Sequence, residues 1–193
     1  MDDYRSFWEV SEESLRYTLD CVGVEHDAGR FERIMDKYLH LDPYAETRAA
    51  LESLSACKRA ILSNGNQDML DALVDNSGCR DLLDAVISVD RAGVFNPNRR
   101  AYDLIETALG VSPDKVVFVS SNAFDACGAK RHGLRVAWIE RATKDALKHE
   151  IDAASVVNPT LMFKLQRMRM EQLGHGPDHV LHSLEELPTL LQG

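Results

Sequence analysis

Apolar residues recur along this chain in two patterns that take turns. Short unbroken runs at Arg59–Leu62, Ala85–Val89, Val116–Val119 and Arg135–Ile139 predict strands buried on both faces. Between them, apolar residues spaced three and four apart predict helices near Asp68–Asp75, Arg99–Leu109 and Phe124–His132. Strands and helices that alternate in this way predict an α/β fold, a parallel sheet flanked by helices.

The flanks read as helical. Residues 11–22 and 27–39 carry amphipathic patterns, with Ser11 and Asp27 as N-caps and Leu15, Leu19 and Val22 on one face. Asp42 and Pro43 form an N-cap and first-turn pair opening a third helix through Leu54. Towards the other end, Lys144–Ala153 reads as one helix, and Asn158-Pro159 opens another that runs to about Leu173. Leu161, Leu165, Met168 and Gln172 share a stripe there, with Met162 and Met170 beside it. That stripe fits either a core-facing helix or a Met-rich partner surface. No internal repeat or low-complexity tract interrupts the chain.

Composition narrows the class. The chain has 193 residues, 45% of them hydrophobic, which suits one packed domain or a core with a small subdomain. A net charge of −9 argues against non-specific binding to nucleic acid or to an anionic membrane. No apolar run reaches the ~18 residues a membrane span needs. The opening MDDYRSFWEV lacks the basic and apolar regions of a signal peptide. Cys21, Cys57, Cys79 and Cys127 are scattered without a C-x-x-C, as expected of reduced thiols in a cytoplasmic protein.

Three polar clusters carry the candidate chemistry. Ser63-Asn64-Gly65 follows a strand directly and offers a hydroxyl, an amide and backbone N–H groups, a set that can hold a carboxylate or phosphate. The same residues also serve ordinary strand-to-helix turns. Ser120, Asn122 and Asp125 follow the third strand, where α/β sheets place ligands, although Asp125 can equally cap the next helix. The third cluster is Val94–Tyr102, with Asn96, Pro97, Arg99 and Arg100. Tyr102 there reads either as a site residue or as a half-buried tyrosine with a wet hydroxyl. His175, His179 and His182 form no regular ligand spacing, because Gly174 and Gly176-Pro177 break any helix, so no metal site is expected.

In order and spacing, ILSNGN (Ile61–Asn66), VFNPNRRAY (Val94–Tyr102) and the run Val116–Arg141 closely resemble the L-2-haloacid dehalogenases, a branch of the haloacid dehalogenase-like hydrolases. The resemblance implies a Rossmann-like core of residues 41–193 with a helical insertion at about 141–177. Residues 1–40 would be a remnant of a helical cap. It implies hydrolytic removal of halide from L-2-haloalkanoic acids, with a small 2-substituted carboxylic acid as ligand and no cofactor. Ser63 and Asn64 match positions that hold the substrate carboxylate. Ser120, Asn122 and Asp125 match residues that orient the motif lysine and help position the hydrolytic water. Phe124 matches a position often occupied by tryptophan on the apolar wall. Tyr102 and Phe7 match substrate-side aromatic positions. Relatives that transfer phosphoryl groups hold magnesium at the second cluster with two nearby acidic residues, whereas this chain offers only Asp125.

Two features of the family pattern have no counterpart. Asn96 stands where the family has lysine, so the charge that would balance a nucleophilic carboxylate is missing unless Arg99 or Arg100 reaches back. The family's first strand, ending in its nucleophilic aspartate, is not found, and Met1, Tyr4 and Phe7 align within the relatives' cap. The expectations are therefore a truncated or mis-started dehalogenase inactive by itself, or a non-catalytic descendant binding a carboxylate or a protein partner. Coding sequence upstream of Met1 separates these two. The absent central strand also predicts either direct pairing of Arg59–Leu62 with Val116–Val119 or a strand supplied by another chain, a second copy included. The Ser63 and Ser120 clusters are expected to converge on one polar pocket.

Overall fold

A computed structural model describes residues 4–25, 27–156, 158–167 and 173–191. The chain divides into two compact units, Met1–Gly110 and Val111–Gly193. The first contains α1 (Phe7–Cys21), α2 (Ala28–Asp36), α3 (Thr47–Ser53), β1 (Ala60–Ser63), α4 (Gln67–Asn76), β2 (Ala85–Ser88) and α5 (Arg99–Leu109). The second contains β3 (Val117–Ser120), α6 (Ala123–His132), β4 (Arg135–Ile139), α7 (Lys144–Ala153), α8 (Pro159–Arg167), β5 (His179–Leu181) and α9 (Leu187–Leu191). The boundary read from sequence at residue 40 lies inside the first unit, where the Asn76 amide donates to the Leu39 carbonyl at 2.7 Å.

The α/β alternation is as the hydrophobic pattern predicts, and every strand pair is parallel. β1 pairs with β2 in the register Ser63↔Ser88, while β3, β4 and β5 form a second sheet in that order. The expected direct pairing of β1 with β3 is not formed: each strand pairs with its neighbour in sequence, within its own unit. Burial on both faces holds for β4, whose Val136 to Ile139 are all buried. It fails for β1, where Ala60 is exposed and the rest are half-buried. An apolar run signals a strand but does not say how many neighbours cover it.

Caps correct two helix starts. Ser6 and Glu9 form a reciprocal capping box, the Glu9 carboxylate accepting from the Ser6 N–H at 2.8 Å, so α1 begins before the expected Ser11. These Ser6 hydrogen bonds hold the Glu9 carboxyl below its usual range. Asp27 caps α2 as expected, accepting from the Arg30 N–H at 2.7 Å. The third helix does not start at Asp42-Pro43. A turn closes first, with the Thr47 N–H on the Tyr44 carbonyl at 2.9 Å, and α3 follows from Glu46. α8 is helical from Pro159 to Arg167; the rest of its expected stripe, Met168, Met170 and Gln172, lies outside the described residues. Leu161 is buried in it and Met162 exposed. No helix among the described residues is long and apolar enough to cross a membrane.

Two close contacts set the sheet edges. The turn after β1 needs glycine, since a Cβ on Gly65 would lie 2.8 Å from Cδ2 and 3.2 Å from Cγ of Leu70 in α4. Leu70 is only 3% exposed, so it has little room to yield. In the second unit Asp178 clamps β4. Its N–H donates to the Val136 carbonyl at 2.8 Å and its carboxylate accepts the Val136 N–H at 2.8 Å. Lys130 pairs with the same carboxylate. The Lys130 contact first, then the Val136 N–H, hold the Asp178 carboxyl below its ordinary range.

Gly65→Ala is expected to cost about 1–3 kcal/mol through overpacking, read as a lower urea midpoint with an unchanged slope. Asp178→Ala is expected to cost a similar ~1–3 kcal/mol, because it strands the Val136 N–H. Since folding lowers this carboxyl's pKa, its contribution is complete above the unfolded value of about 4 and fades as pH falls below it. The wild-type advantage over Asp178→Ala should therefore shrink on acidification, and an advantage constant between neutral and strongly acidic pH would contradict the clamp.

Candidate active site

Three strands end in the same device. β1, β2 and β3 terminate in Ser63, Ser88 and Ser120, and each serine oxygen accepts the N–H two residues on: Gly65 at 3.2 Å, Asp90 at 3.2 Å and Asn122 at 3.1 Å. A short hydroxyl that bonds its own turn stops a strand and turns the chain outward. Polar groups thus collect at the carboxyl ends of parallel strands, the edge where such sheets bind ligands.

In the first unit this edge brings together several residues expected from the sequence. The Asn96 N–H donates to Oδ1 of Asn64 at 2.8 Å, joining two segments 32 residues apart. That bond fixes the Asn64 amide and leaves its Nδ2 protons without an acceptor among the described residues. Ser63, accepting from Gly65, likewise keeps its hydroxyl proton for another partner. Two neutral donors at one strand end suit an anionic oxygen group. Ser88 is fully buried and donates to the Gly65 carbonyl at 2.7 Å, which holds the turn from behind.

Asn96 is 9% exposed, and its Oδ1 is buried with no hydrogen-bond donor among the described residues. Its peptide bond to Pro97 is cis. Arg99 does not bring a charge back to it: the guanidinium is exposed and lies 3.9 Å from Asp103. Arg100 is exposed as well. Tyr102 is 1% exposed, so it is a core residue of α5 and not the half-buried tyrosine of the plainer expectation. Phe7 is half-buried and packs edge-on against Phe95, with ring centres 6.4 Å apart, and against Tyr38 at 6.2 Å. It thereby borders the residue preceding Asn96.

In the second unit Ser120 donates to Oδ2 of Asp125 at 3.1 Å, and both side chains are buried. Asn122 is the N-cap of α6 but makes no side-chain cap bond, and Asp125 sits in that helix's first turn. A carboxylate at a helix N-terminus is stabilised by the unpaired N–H groups there. Such a group, oriented by a serine, can accept a proton or hold a water molecule. Phe124 beside it is 44% exposed. Among the described residues no group of three or more His, Cys, Asp or Glu side chains comes together as a metal site requires.

Ser88, Phe95 and the contact between Tyr4 and Asp90 are not marked in the sequence. For Ser88 a signal existed, because AVIS (Ala85–Ser88) repeats the design of AILS (Ala60–Ser63). For Tyr4, whose hydroxyl meets Asp90 across 86 residues, no local pattern could have shown it.

Comparison with known proteins accords with this geometry. A family model described as haloacid dehalogenase-like hydrolase matches residues 1–133. The (S)-2-haloacid dehalogenase of Xanthobacter autotrophicus is 45% identical over 193 residues, covering 100% of this chain and 76% of that protein. (S)-2-haloacid dehalogenase 2 of Pseudomonas sp. strain CBS-3 is 35% identical over 193 residues, covering 99% and 74%. The solved structure of the Xanthobacter L-2-haloacid dehalogenase with chloropropionic acid covalently bound superposes with a TM-score of 0.90, over 98% of this chain and 77% of that one. The L-2-haloacid dehalogenase RSc1362, 30% identical, gives 0.81 over 98% and 74%. With matching motifs, sequence and fold over nearly its whole length, the chain belongs to the haloacid dehalogenase-like hydrolases, among the L-2-haloacid dehalogenases.

Proposed function

We propose that the chain carries the substrate-holding and water-positioning parts of a hydrolytic 2-haloacid dehalogenase of L specificity. In this reading Ser63 and Asn64 donate to the carboxylate of a small 2-haloalkanoic acid. Ser120, Asn122 and Asp125 orient the water that cleaves an ester intermediate. Phe7 supplies an apolar wall beside the first group, and Phe124 an apolar wall beside the second. The observation that carries the reading is the pair of donors at the end of β1, oriented by the Asn96-to-Asn64 bond and left for an anion.

The reaction needs a carboxylate that attacks the halogen-bearing carbon, displaces halide and is then released from its ester by water. The 193 residues offer no aspartate in the family's motif for that step, and Asn96 supplies no positive charge to ionise one. We therefore propose that this chain by itself binds and does not turn over. A second reading, ligand binding with no catalytic role at all, is favoured by the buried Asn96 amide, neutral where the family has lysine.

Calorimetry and a halide assay test this together. L-2-chloropropionate should bind with measurable heat, 2-chloropropionamide should not, and chloride release should stay at the level of buffer alone. Loss of an activated nucleophile costs several orders of magnitude in rate. Release beyond one chloride per chain would refute the inactive reading and point to another nucleophile, such as Asp90 or Asp125. Equal binding of acid and amide would remove the carboxylate assignment.

A further inference from the structure

We infer that Tyr4 and Asp90 are a positioning pair that seats α1, and with it Phe7, against the Ser63–Asn64 turn; the ligand-side consequence rests on that turn taking a carboxylate. The Tyr4 hydroxyl donates to Oδ1 of Asp90 at 2.5 Å. Asp90 lies in the short 3-10 turn Val89–Ala92 that follows β2. From it a continuous chain of hydrogen bonds leads to the turn. The Asp90 N–H donates to the Ser88 hydroxyl at 3.2 Å, and that hydroxyl donates to the Gly65 carbonyl at 2.7 Å. A second route runs through rings. Tyr4 packs on Phe95 with centres 5.3 Å apart, and Phe7 meets the same ring edge-on. The next residue, Asn96, donates to Asn64. Both routes join the start of α1 to the turn, one at the Gly65 carbonyl and the other at the Asn64 side chain.

These ties matter because little else holds α1. None of its side chains is fully buried; its contacts among the described residues include the ring contacts and the Arg16 guanidinium 4.7 Å from the Phe31 ring centre. A helix of this length is marginal in water without tertiary support. A phenol on a carboxylate is a charge-assisted bond, the stronger kind available to a tyrosine. Burial first, then Asp90, push the Tyr4 phenol well above its usual pKa, so it stays a donor across the physiological range. Asp90 thus serves as an anchor for the wall carried by Phe7.

Two conservative variants of the full chain test the pair. Tyr4→Phe keeps the ring and removes the donor; Asp90→Asn keeps an acceptor and removes the charge. Each should speed amide exchange across 7–21 by about tenfold, the population change expected for one such bond, with α4 unchanged. The double variant should do no more than either single one. The backbone amide signals of Gly65 and Asn96 should move in both, a mark that mere fraying of α1 would not leave. Affinity for L-2-chloropropionate should fall severalfold. Unchanged exchange in both variants, or faster exchange with the Gly65 and Asn96 signals unmoved, would overturn the inference. Should Tyr4→Phe not fold, Asp90→Asn applies the same readouts from the other partner. Failure of the wild-type chain to bind L-2-chloropropionate would count against the carboxylate reading, and the exchange and amide signals would still decide the pair.

Discussion

The hydrogen bond from the Asn96 N–H to the Asn64 side-chain oxygen orders the polar edge of the first unit. It occupies the acceptor of the Asn64 amide and so decides which way its donors point. It exists only because β1 and β2 pair in a register that sets Ser63 level with Ser88, bringing the turns after both strands to one edge. Ser88, fully buried, then holds the Gly65 carbonyl, and Gly65 itself is fixed by Leu70 beneath it. Each group in this arrangement has one role to give up if its neighbour changes.

The second unit uses the same device to a different end. Its serine at the strand terminus accepts a turn N–H, as the others do, but also donates to a buried carboxylate, Asp125. The first edge therefore presents donors and the second an oriented acceptor. β4, the most buried strand, supplies the support, and Asp178 completes the hydrogen bonding at its start.

Much of this was legible in the sequence, and the misses have physical causes. Arg135–Ile139, Arg99–Leu109 and Lys144–Ala153 form at the full extent the sequence indicates, with Gly110 closing the second and Thr143 capping the start of the third. The amphipathic stretch points to Ser11 as the start of α1, but the Ser6–Glu9 box lies ahead of that stretch. Pro43 misled because a proline fits a helix start and a turn equally well. Among the candidate residues, Ser63, Asn64, Ser120, Asn122 and Asp125 are legible as polar turns after apolar strands. The orientation of Asn64 was not, because Asn96 decides it from 32 residues away. The Tyr4–Asp90 contact is invisible for the same reason at greater separation.

The central claim is that the turn after β1 is a carboxylate site whose donors are aimed by Asn96. The most direct measurement is an NMR titration of the 15N-labelled chain with L-2-chloropropionate, following the side-chain amide of Asn64 and the backbone amides of Asn64, Gly65 and Asn96. The account predicts saturable shifts largest at these signals, with the Asn64 side-chain protons moving downfield as they meet an anion. Saturable shifts centred elsewhere, with the Asn64 side-chain amide unmoved, would contradict it.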